Sequence, residues 1–233
     1  MRTEDGKWIL TGANKDAPDC IHTVDEAINY INKLGFLPLF QNDLPGFSLE
    51  EHTISNDWWT GDISIDPWEW RAIIARRGDI AYGKFFDGKA GFISKKWLPY
   101  FVNYRRDGYD FDALWDDEKA SRRQKMIMDL FMAESADAEL FSNEIKQKAG
   151  FGKGGEKGFD GTLASLQDML YLCVRDFRQK INKKGQPYGW AIAVYSTPEH
   201  IFGTDYVTSA YCESPEKSGE RIKEWINSKI KKH

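Results

Sequence analysis

The feature that most constrains this chain is a glycine-rich stretch, KAGFGKGGEKGFDGTLASLQDML, which begins at Lys148 and ends at Leu170. It contains six glycines and three lysines, and it continues directly into apolar residues at helical spacing. Glycine has no Cβ and adopts positive φ at little cost, so either the chain turns sharply here or a ligand approaches the backbone closely. The stretch is therefore a phosphate-binding loop for a nucleotide or the loop before a helix that contacts nucleic acid.

The nucleotide interpretation depends on the residues around the glycines. Residues 150–155, GFGKGG, match the pattern G-x-G-x-x-G. A dinucleotide-binding loop needs a strand before it and a βαβ unit around it, whereas here an amphipathic helical segment precedes the loop and a hairpin follows. The pattern of a triphosphate-binding loop also fails, because Glu156 stands where that pattern needs lysine. We therefore expect no nucleotide cofactor and no other cofactor.

The order of elements after Ser121 favours a nucleic-acid-binding module. The sequence predicts a long helix in DDEKASRRQKMIMDLFMAE, a short helix in FSNEIKQKAG, an irregular loop through Gly161 and a helix over Thr162–Leu170. Two strands, CVRDFRQKIN and PYGWAIAVYS, then predict a hairpin. This is the order of a winged helix, a helix-turn-helix with a β-wing.

In such a module the helix before the hairpin presents polar side chains outward, here Thr162, Ser165, Gln167 and Asp168. The hairpin carries Arg175, Arg178, Lys180, Lys183 and Lys184, and the loop carries Lys153 and Lys157. Nine basic and five acidic residues between Phe141 and Gly189 give a net charge of +4; the whole chain carries −4, so the remainder carries −8. This asymmetry favours contacts to DNA phosphates. The alternative is that lysines around a tight turn only keep the loop soluble.

The first half of the chain contains similar local signals. HTVDEAINYINKLG predicts a helix with a capping box of Thr23 and Glu26, ended by Gly35. DPWEWRAIIARRG predicts a second helix capped by Asp66, and the dipeptide Asp87-Gly88 predicts a hairpin turn. Helices and hairpins therefore alternate in both halves.

Composition excludes several classes of protein. No apolar run approaches the roughly 18 residues of a membrane span, and the start of the chain lacks the apolar region of a secretion signal. The three cysteines are odd in number and far apart, which favours free thiols in a reducing cytoplasm. The four histidines lack ligand spacing, so we expect no metal site. The expected location is the cytoplasm, without a membrane partner, and the oligomeric state is left open.

Three stretches together resemble a known family: GFGKGGEKGFDGTLASLQ, WEWRAIIARRGDIAYGKFFDGKAGFISKKWLPYF and AINYINKLGFLPLF. They resemble the AlkZ-related bacterial proteins, short relatives of the winged-helix DNA glycosylases of the AlkZ/YcaQ type. The resemblance extends over most of the chain, from about residue 22 to about residue 210. It implies a tandem winged-helix fold, DNA as ligand, and excision of alkylated or crosslinked bases.

The resemblance also implies a catalytic motif. The glycosylases use Gln-apolar-Gln or Gln-apolar-Asp to position and activate a water at the sugar, and the only Gln-x-Asp string here is Gln41-Asn42-Asp43. It follows GFLPLF, roughly where the motif would lie, but its middle residue is polar and Pro45-Gly46 comes next. The alternative is an exposed turn with solvated side chains. The chain is also shorter than those enzymes.

Weaker candidates lie in two other tracts. Asp62, Asp66 and Glu69 stand among several tryptophans, where aromatic rings would stack on a flipped base while a carboxylate stabilises a sugar cation. The alternative is core packing with helix caps. Arg105 and Arg106, in YFVNYRRDGYD, would contact phosphates or simply solvate the end of a helix.

The expected fold is α+β, built from tandem winged-helix units packed as one body. The expected domains are a loose N-terminal arm (1–20), an α/β winged-helix-like unit (21–115), a winged-helix DNA-binding unit (116–210) and a C-terminal helix (211–233). The expected function is DNA binding, with excision of alkylated or crosslinked bases as its chemistry. The alternative is a non-catalytic winged-helix regulator or protein-interaction module.

Overall fold

The computed structural model describes residues 2–4, 7–132, 138–182 and 184–230. The chain forms two compact units of mixed α/β structure with antiparallel strands. The first unit comprises residues 1–98 and 224–233, and the second comprises residues 99–223. The functional domain boundaries expected from the sequence stay predictions.

The first unit begins with a pair of short antiparallel strands within the segment expected to be a loose arm. Its strands are β1 (Arg2–Glu4), β2 (Lys7–Ile9), β3 (Phe36–Pro38), β4 (Ile80–Phe86) and β5 (Lys89–Ser94). Its helices are α1 (Val24–Leu34) and α2 (Pro67–Arg77), and residues 50–52 and 55–57 form single 3₁₀ turns between them. Strands β3, β5 and β4 lie side by side in that order, all antiparallel.

The helix ends of the first unit follow local sequence rules. Thr23 and Glu26 form the predicted capping box of α1, and Gly35 ends that helix with φ of +91°. The β4–β5 turn is made by Asp87 and Gly88, both at positive φ, as a two-residue hairpin requires. Around these elements the fully buried side chains include Phe36, Trp70 and Phe92, which form the core. These local predictions are confirmed.

The second unit contains the remaining elements. Its helices are α3 (Leu98–Arg106), α4 (Phe111–Asp116), α5 (Arg122–Met132), α6 (Ser142–Lys148), α7 (Phe159–Asp168), α8 (Pro198–Phe202), α9 (Thr204–Val207) and the first part of α10 (Pro215–Ile230). Its strands are β6 (Leu140–Phe141), β7 (Cys173–Ile181) and β8 (Pro187–Ser196). They lie in the order β7, β8, β6, all antiparallel.

The predicted order of long helix, short helix, helix and hairpin over residues 121–195 is confirmed. The predicted start of the third helix at Thr162 is wrong, because α7 begins at Phe159. Gly158 has φ of +83° and caps the helix, and the buried ring of Phe159 packs against Phe151 with ring centroids 5.4 Å apart. This apolar contact fixes the chain in the helix one turn earlier than the glycine spacing indicated.

In both units a helix is followed by a short strand and a hairpin, with one further α-helix before the hairpin in the first unit and two, α6 and α7, in the second. In the first unit the short strand β3 pairs with β5, the second strand of the hairpin. In the second unit the short strand β6 pairs with β8, again the second strand of the hairpin. In the part of the chain that the structure describes, every helix is too short or too polar to cross a membrane.

Candidate functional site

An open cleft of about 530 Å³ in the first unit contains the predicted Gln-x-Asp string. Its lining residues are Phe40, Gln41, Asn42, Asp43, Lys89 and Ala90. Asp43 is solvent-exposed and Gln41 is half-buried. The fold thus brings the predicted amide and carboxylate to one cleft, beside a lysine that approaches from the start of β5.

A hydrogen-bond network holds the side chain of Gln41. Its Oε1 accepts from the hydroxyl of Thr11 at 2.8 Å, and its Nε2 donates to Oε1 of Glu51 at 3.4 Å. The backbone N–H of Gln41 donates to Oε2 of Glu50 at 2.9 Å, and the same buried carboxylate accepts from the backbone of Thr11 at 3.0 Å. These contacts orient the amide before any ligand arrives.

Glu50 and Glu51 were not predicted as site residues. Glu51 accepts a 2.6 Å hydrogen bond from the hydroxyl of Ser48, and the backbone N–H of Glu51 donates back to that hydroxyl. The two residues are thus joined by hydrogen bonds in both directions, and the S-x-x-E spacing in FSLEEHT is a signal that could have identified Glu51. Glu50 has no such local signal, because its partner Thr11 lies 39 residues away in the sequence.

The polar middle residue of the string has a structural role. The side-chain amide of Asn42 donates to the carbonyl of Phe47 at 2.8 Å, and its Oδ1 accepts from the backbone of Leu44 at 2.9 Å. An asparagine that hydrogen-bonds to the backbone two residues later forms an Asx turn. The turn that was expected as the alternative to a catalytic motif is therefore present, and it directs Asp43 to the cleft.

An aromatic cluster adjoins the cleft through Phe40. The ring of Phe40 lies 5.3 Å from Trp58 and 6.3 Å from Trp68, measured between centroids. Trp59 contacts both of these tryptophans and is partly exposed. The guanidinium of Arg71 lies 3.4 Å from the ring centroid of Trp68, a cation–π contact. The rings are tilted by 32–60° to one another and Trp58 is buried, so a planar ligand could stack on a single accessible ring, such as that of Trp59.

The acids of the tryptophan tract have different surroundings. Asp66 is buried and accepts from the backbone N–H groups of Trp68 at 2.8 Å, Gly61 at 2.9 Å and Trp59 at 3.1 Å. It therefore caps α2 and holds the preceding loop, as the helix-cap alternative expected.

Asp62 is exposed, and its hydrogen bonds from the hydroxyl and backbone of Ser64 lower its pKa. Glu69 is half-buried in the first turn of α2. Neither Asp62, Asp66 nor Glu69 lines the cleft that contains Gln41.

In the second unit, the glycine loop closes on itself. Gly150 ends α6 with φ of +74°, and its carbonyl accepts from the backbone of Glu156 at 3.0 Å. The backbone N–H of Gly152 in turn donates to the carbonyl of Glu156 at 3.2 Å. Lys153 and Lys157 project from this turn and are exposed. The backbone groups of the loop thus hydrogen-bond to one another and form the turn, and the side chains of Lys153 and Lys157 face solvent.

Fewer side chains of α7 face solvent than the sequence predicted. Thr162 and Ser165 are half-exposed, but Gln167 is almost completely buried and donates to the carbonyl of Leu163 at 3.0 Å. The prediction that Gln167 faces outward is wrong, because its position four residues after Leu163 puts it on the buried side of the helix. Asp168 forms an ion pair of 3.1 Å with Arg105.

Several predicted phosphate contacts already have acidic partners. Arg106 is buried, pairs with Glu199, donates to the carbonyl of Leu170 at 2.6 Å and stacks on Tyr171. The idea that Arg106 solvates a helix end is therefore wrong, since its guanidinium lies inside the unit. Its environment also leaves no exposed face for a phosphate.

The arginines of the hairpin are also paired. Arg175 lies 3.4 Å from Glu139, and Arg178 lies 2.6 Å from Glu139 and 2.7 Å from the buried Asp176. Counting charges between residues 141 and 189 missed this partial neutralisation, because Glu139 lies just outside that window. Lys180 is half-buried and Lys184 is exposed, and Lys183 lies outside the described residues.

The hairpin also carries apolar side chains that the sequence analysis did not single out. Trp190 is 92% exposed, Ile181 62% and Tyr188 50%. The alternation of aromatic residues and glycine in PYGWA, beside basic residues on the opposite strand, is the signal that could have identified them.

The described residues contain no cluster of three or more His, Cys, Asp and Glu side chains that could hold a metal ion. A protein-family model described as AlkZ related matches residues 21–233. Neither a curated protein nor a solved structure matches the chain.

Proposed function

Because the chain belongs to the AlkZ-related family, we propose that it is a DNA-binding protein of tandem winged-helix build that excises alkylated or crosslinked bases. The lysines of the loop before α7 and of the hairpin after it are the observation that carries the DNA-binding part. The cleft with Gln41 and Asp43 supports the chemical part.

The succession of elements supports the winged-helix interpretation. In a winged helix, the helix that precedes the hairpin enters the major groove and the hairpin forms the wing. Here α7 occupies the position of that helix and β7–β8 the position of the wing, with β6 as the short third strand. The first unit has α2, β4–β5 and β3 in the corresponding positions.

The DNA contacts that we propose lie before and after α7. Lys153 and Lys157 project from the loop before it, and Lys180 and Lys184 from the hairpin after it. None of the four has an acidic partner among the described residues. Ammonium groups from the elements that precede and follow a helix can hold a DNA backbone near it, leaving Thr162 and Ser165 to approach base edges.

The arginines Arg105, Arg175 and Arg178 contribute less to this surface, because each would have to exchange a carboxylate for a phosphate. We therefore expect the lysines to dominate affinity. Arg106 and Gln167 are omitted from the contact surface because both are buried.

The chemistry that we propose takes place in the cleft of the first unit. A base released from its sugar leaves a developing positive charge, which a carboxylate stabilises more in the transition state than in the ground state. Asp43 would supply that carboxylate, and Gln41, oriented by Thr11 and Glu51, would position the attacking water. The aromatic cluster that begins at Phe40 would stack on the extruded base.

The experiment is incubation of the protein with duplexes carrying N7-alkylguanine, N3-alkyladenine or an interstrand crosslink, scored for abasic sites. Asp43→Asn should lower base release by about a hundredfold, with DNA affinity unchanged within about twofold, because the carboxylate acts in the transition state. Asp62→Asn is the matched control, since that carboxylate is also exposed but lies outside the cleft. Equal activity of wild type and Asp43→Asn would contradict the assignment.

A non-catalytic regulator is the second candidate. It is favoured by the side chain of Asn42, which stands in the middle of the string and is committed to a turn instead of an apolar contact. DNA binding without release of any of these bases would establish this candidate over the first.

A further inference from the structure

Several large apolar side chains at the end of the β7–β8 hairpin are exposed to solvent. Trp190, at 92% exposure, is the most exposed large apolar side chain among the described residues, and Ile181 and Tyr188 accompany it on the same hairpin. Residues 184–191 are all exposed, so the body of the unit does not cover this segment. Single exposed apolar residues are common, but an almost completely exposed tryptophan on a hairpin with two further exposed apolar side chains indicates a contact surface.

The backbone around Trp190 is irregular in a defined way. Arg178 pairs with Ile192 and Lys180 pairs with Tyr188, so one residue of β7 lies opposite three residues of β8. Trp190 is the middle one of those three, and the preceding Gly189 has φ of +73°. Such a bulge directs a side chain away from the regular faces of the ladder.

Hydrogen bonds within the described part of the hairpin hold its backbone. Asn182 accepts through Oδ1 from the backbones of Lys184 at 2.8 Å and Gln186 at 3.1 Å. Gln179 donates from Nε2 to the carbonyl of Gly189 at 2.7 Å, directly beside Trp190. A backbone already held in this way reduces the conformational entropy that is lost when the exposed ring binds a ligand.

The charge around the ring indicates what it binds. The sequence from Phe177 to Pro198 has no acidic residue, and Lys180 stands directly across from Tyr188. Aromatic rings next to lysines form the usual combination that stacks on bases while holding the backbone phosphates. An indole can stack only on a base whose face is open, and the bases of an intact duplex are already stacked on each other.

We propose that Trp190 stacks on a base exposed by a local break in the duplex, so that the protein prefers DNA with an unpaired base to intact DNA. This inference rests on the DNA binding proposed above and names the form of DNA that the same surface takes. Lys180 and Lys184 hold the backbone beside the break.

The test measures dissociation constants by fluorescence anisotropy for an intact duplex, the same duplex with one bulged base, and vesicles of anionic phospholipid. Wild type should bind the bulged duplex about tenfold more tightly than the intact one, the gain typical of one stacked base. Trp190→Ala should lose that preference and keep its affinity for the intact duplex, whereas Trp190→Phe should keep most of it. Ile63→Ala is the matched control, because Ile63 is also a well-exposed apolar side chain.

The outcomes separate this inference from the proposed function. Equal binding of both duplexes by wild type, or an unchanged preference in Trp190→Ala, overturns the role of Trp190 while DNA binding stands. Absence of binding to either duplex overturns both proposals. Binding to the vesicles that depends on Trp190, with no preference between the duplexes, also overturns the inference. Because Trp190 is exposed, far-ultraviolet circular dichroism should show the same folded state in every variant.

Discussion

Tyr195 is the residue whose burial has the clearest consequence for stability. It lies in β8 with little exposure, and burial raises the pKa of its hydroxyl to about 12, with the charge of Asp160 as a second cause and a hydrogen bond with Gln167 acting in the opposite direction. The folded protein therefore holds this proton more tightly than the unfolded chain, whose tyrosine pKa is about 10. The contribution to stability is complete below about pH 10 and is lost as the pH rises towards about 12.

We expect Tyr195→Phe to weaken the alkaline loss of stability. Between about pH 9 and about pH 11 the free energy of unfolding of wild type should fall by about 1 kcal/mol more than that of the variant. Urea unfolding at both pH values measures this difference, with Tyr188→Phe, which alters an exposed hydroxyl, as the control. Identical pH dependence in wild type and Tyr195→Phe would contradict the prediction.

Single residues also show what the sequence can reveal about a site. Thr23, Glu26 and Asp66 were predicted as caps because capping depends on spacing within one turn. Glu50 was missed because its contacts with Thr11 and Gln41 form only after folding. Residues that act through their neighbours in the sequence are thus predictable, and those that act through distant partners are not.

The glycine loop between α6 and α7 is the element in which backbone conformation decides stability. Gly150 has φ of +74°, while the nearest atom that a Cβ would meet, Cε of Met126, is at an ordinary contact distance of 3.6 Å. An alanine there is strained by its backbone alone, at a cost of about 1 kcal/mol or more. Gly161, by contrast, lies within α7, with open space around it and no positive φ.

We therefore expect Gly150→Ala and Gly161→Ala to act in opposite directions. Gly150→Ala should lower the melting temperature by about 2–4 °C, whereas Gly161→Ala should raise it slightly, because alanine favours the helix by about 1 kcal/mol. Thermal unfolding followed by circular dichroism measures both. A melting temperature unchanged by Gly150→Ala would show that the loop relaxes without strain.

At the scale of elements, the features that depend on local signals were predicted, and those that depend on tertiary contacts were not. The helices and hairpin of residues 121–195 were predicted from periodicity and turn residues. Strand β6 was not predicted, because two residues have no periodicity and become a strand only by pairing Leu140 with Tyr195 and Phe141 with Val194. The pairing of a short strand with the second strand of the hairpin, which occurs in both units, is likewise apparent only in the structure.

At the scale of the whole molecule, counting charges in the sequence overestimated the positive charge that is available to a partner. A segment of +4 in a chain of −4 predicted a basic surface. The structure pairs Arg175 and Arg178 with Glu139 and buries Arg106 against Glu199. Pairing reduces the field that a partner experiences, so the exposed lysines, and not the total charge, determine the attraction for DNA.

This distribution predicts the salt dependence of DNA affinity. Each phosphate neutralised by a lysine releases about 0.9 counterion, so contacts from Lys153, Lys157, Lys180 and Lys184 should give a slope of about −4 in log K against log salt concentration. Lys153→Ala combined with Lys157→Ala should reduce the slope by about 2 and leave thermal stability unchanged, because both side chains are exposed and unpaired among the described residues. Lys15→Ala combined with Lys33→Ala, two exposed lysines of the first unit, is the matched control and should keep the slope of wild type. A slope equal to that of wild type in the loop variant would limit the DNA contacts to the hairpin. An affinity independent of salt would contradict the proposed DNA binding, because lysines that bind phosphates must release counterions from the DNA.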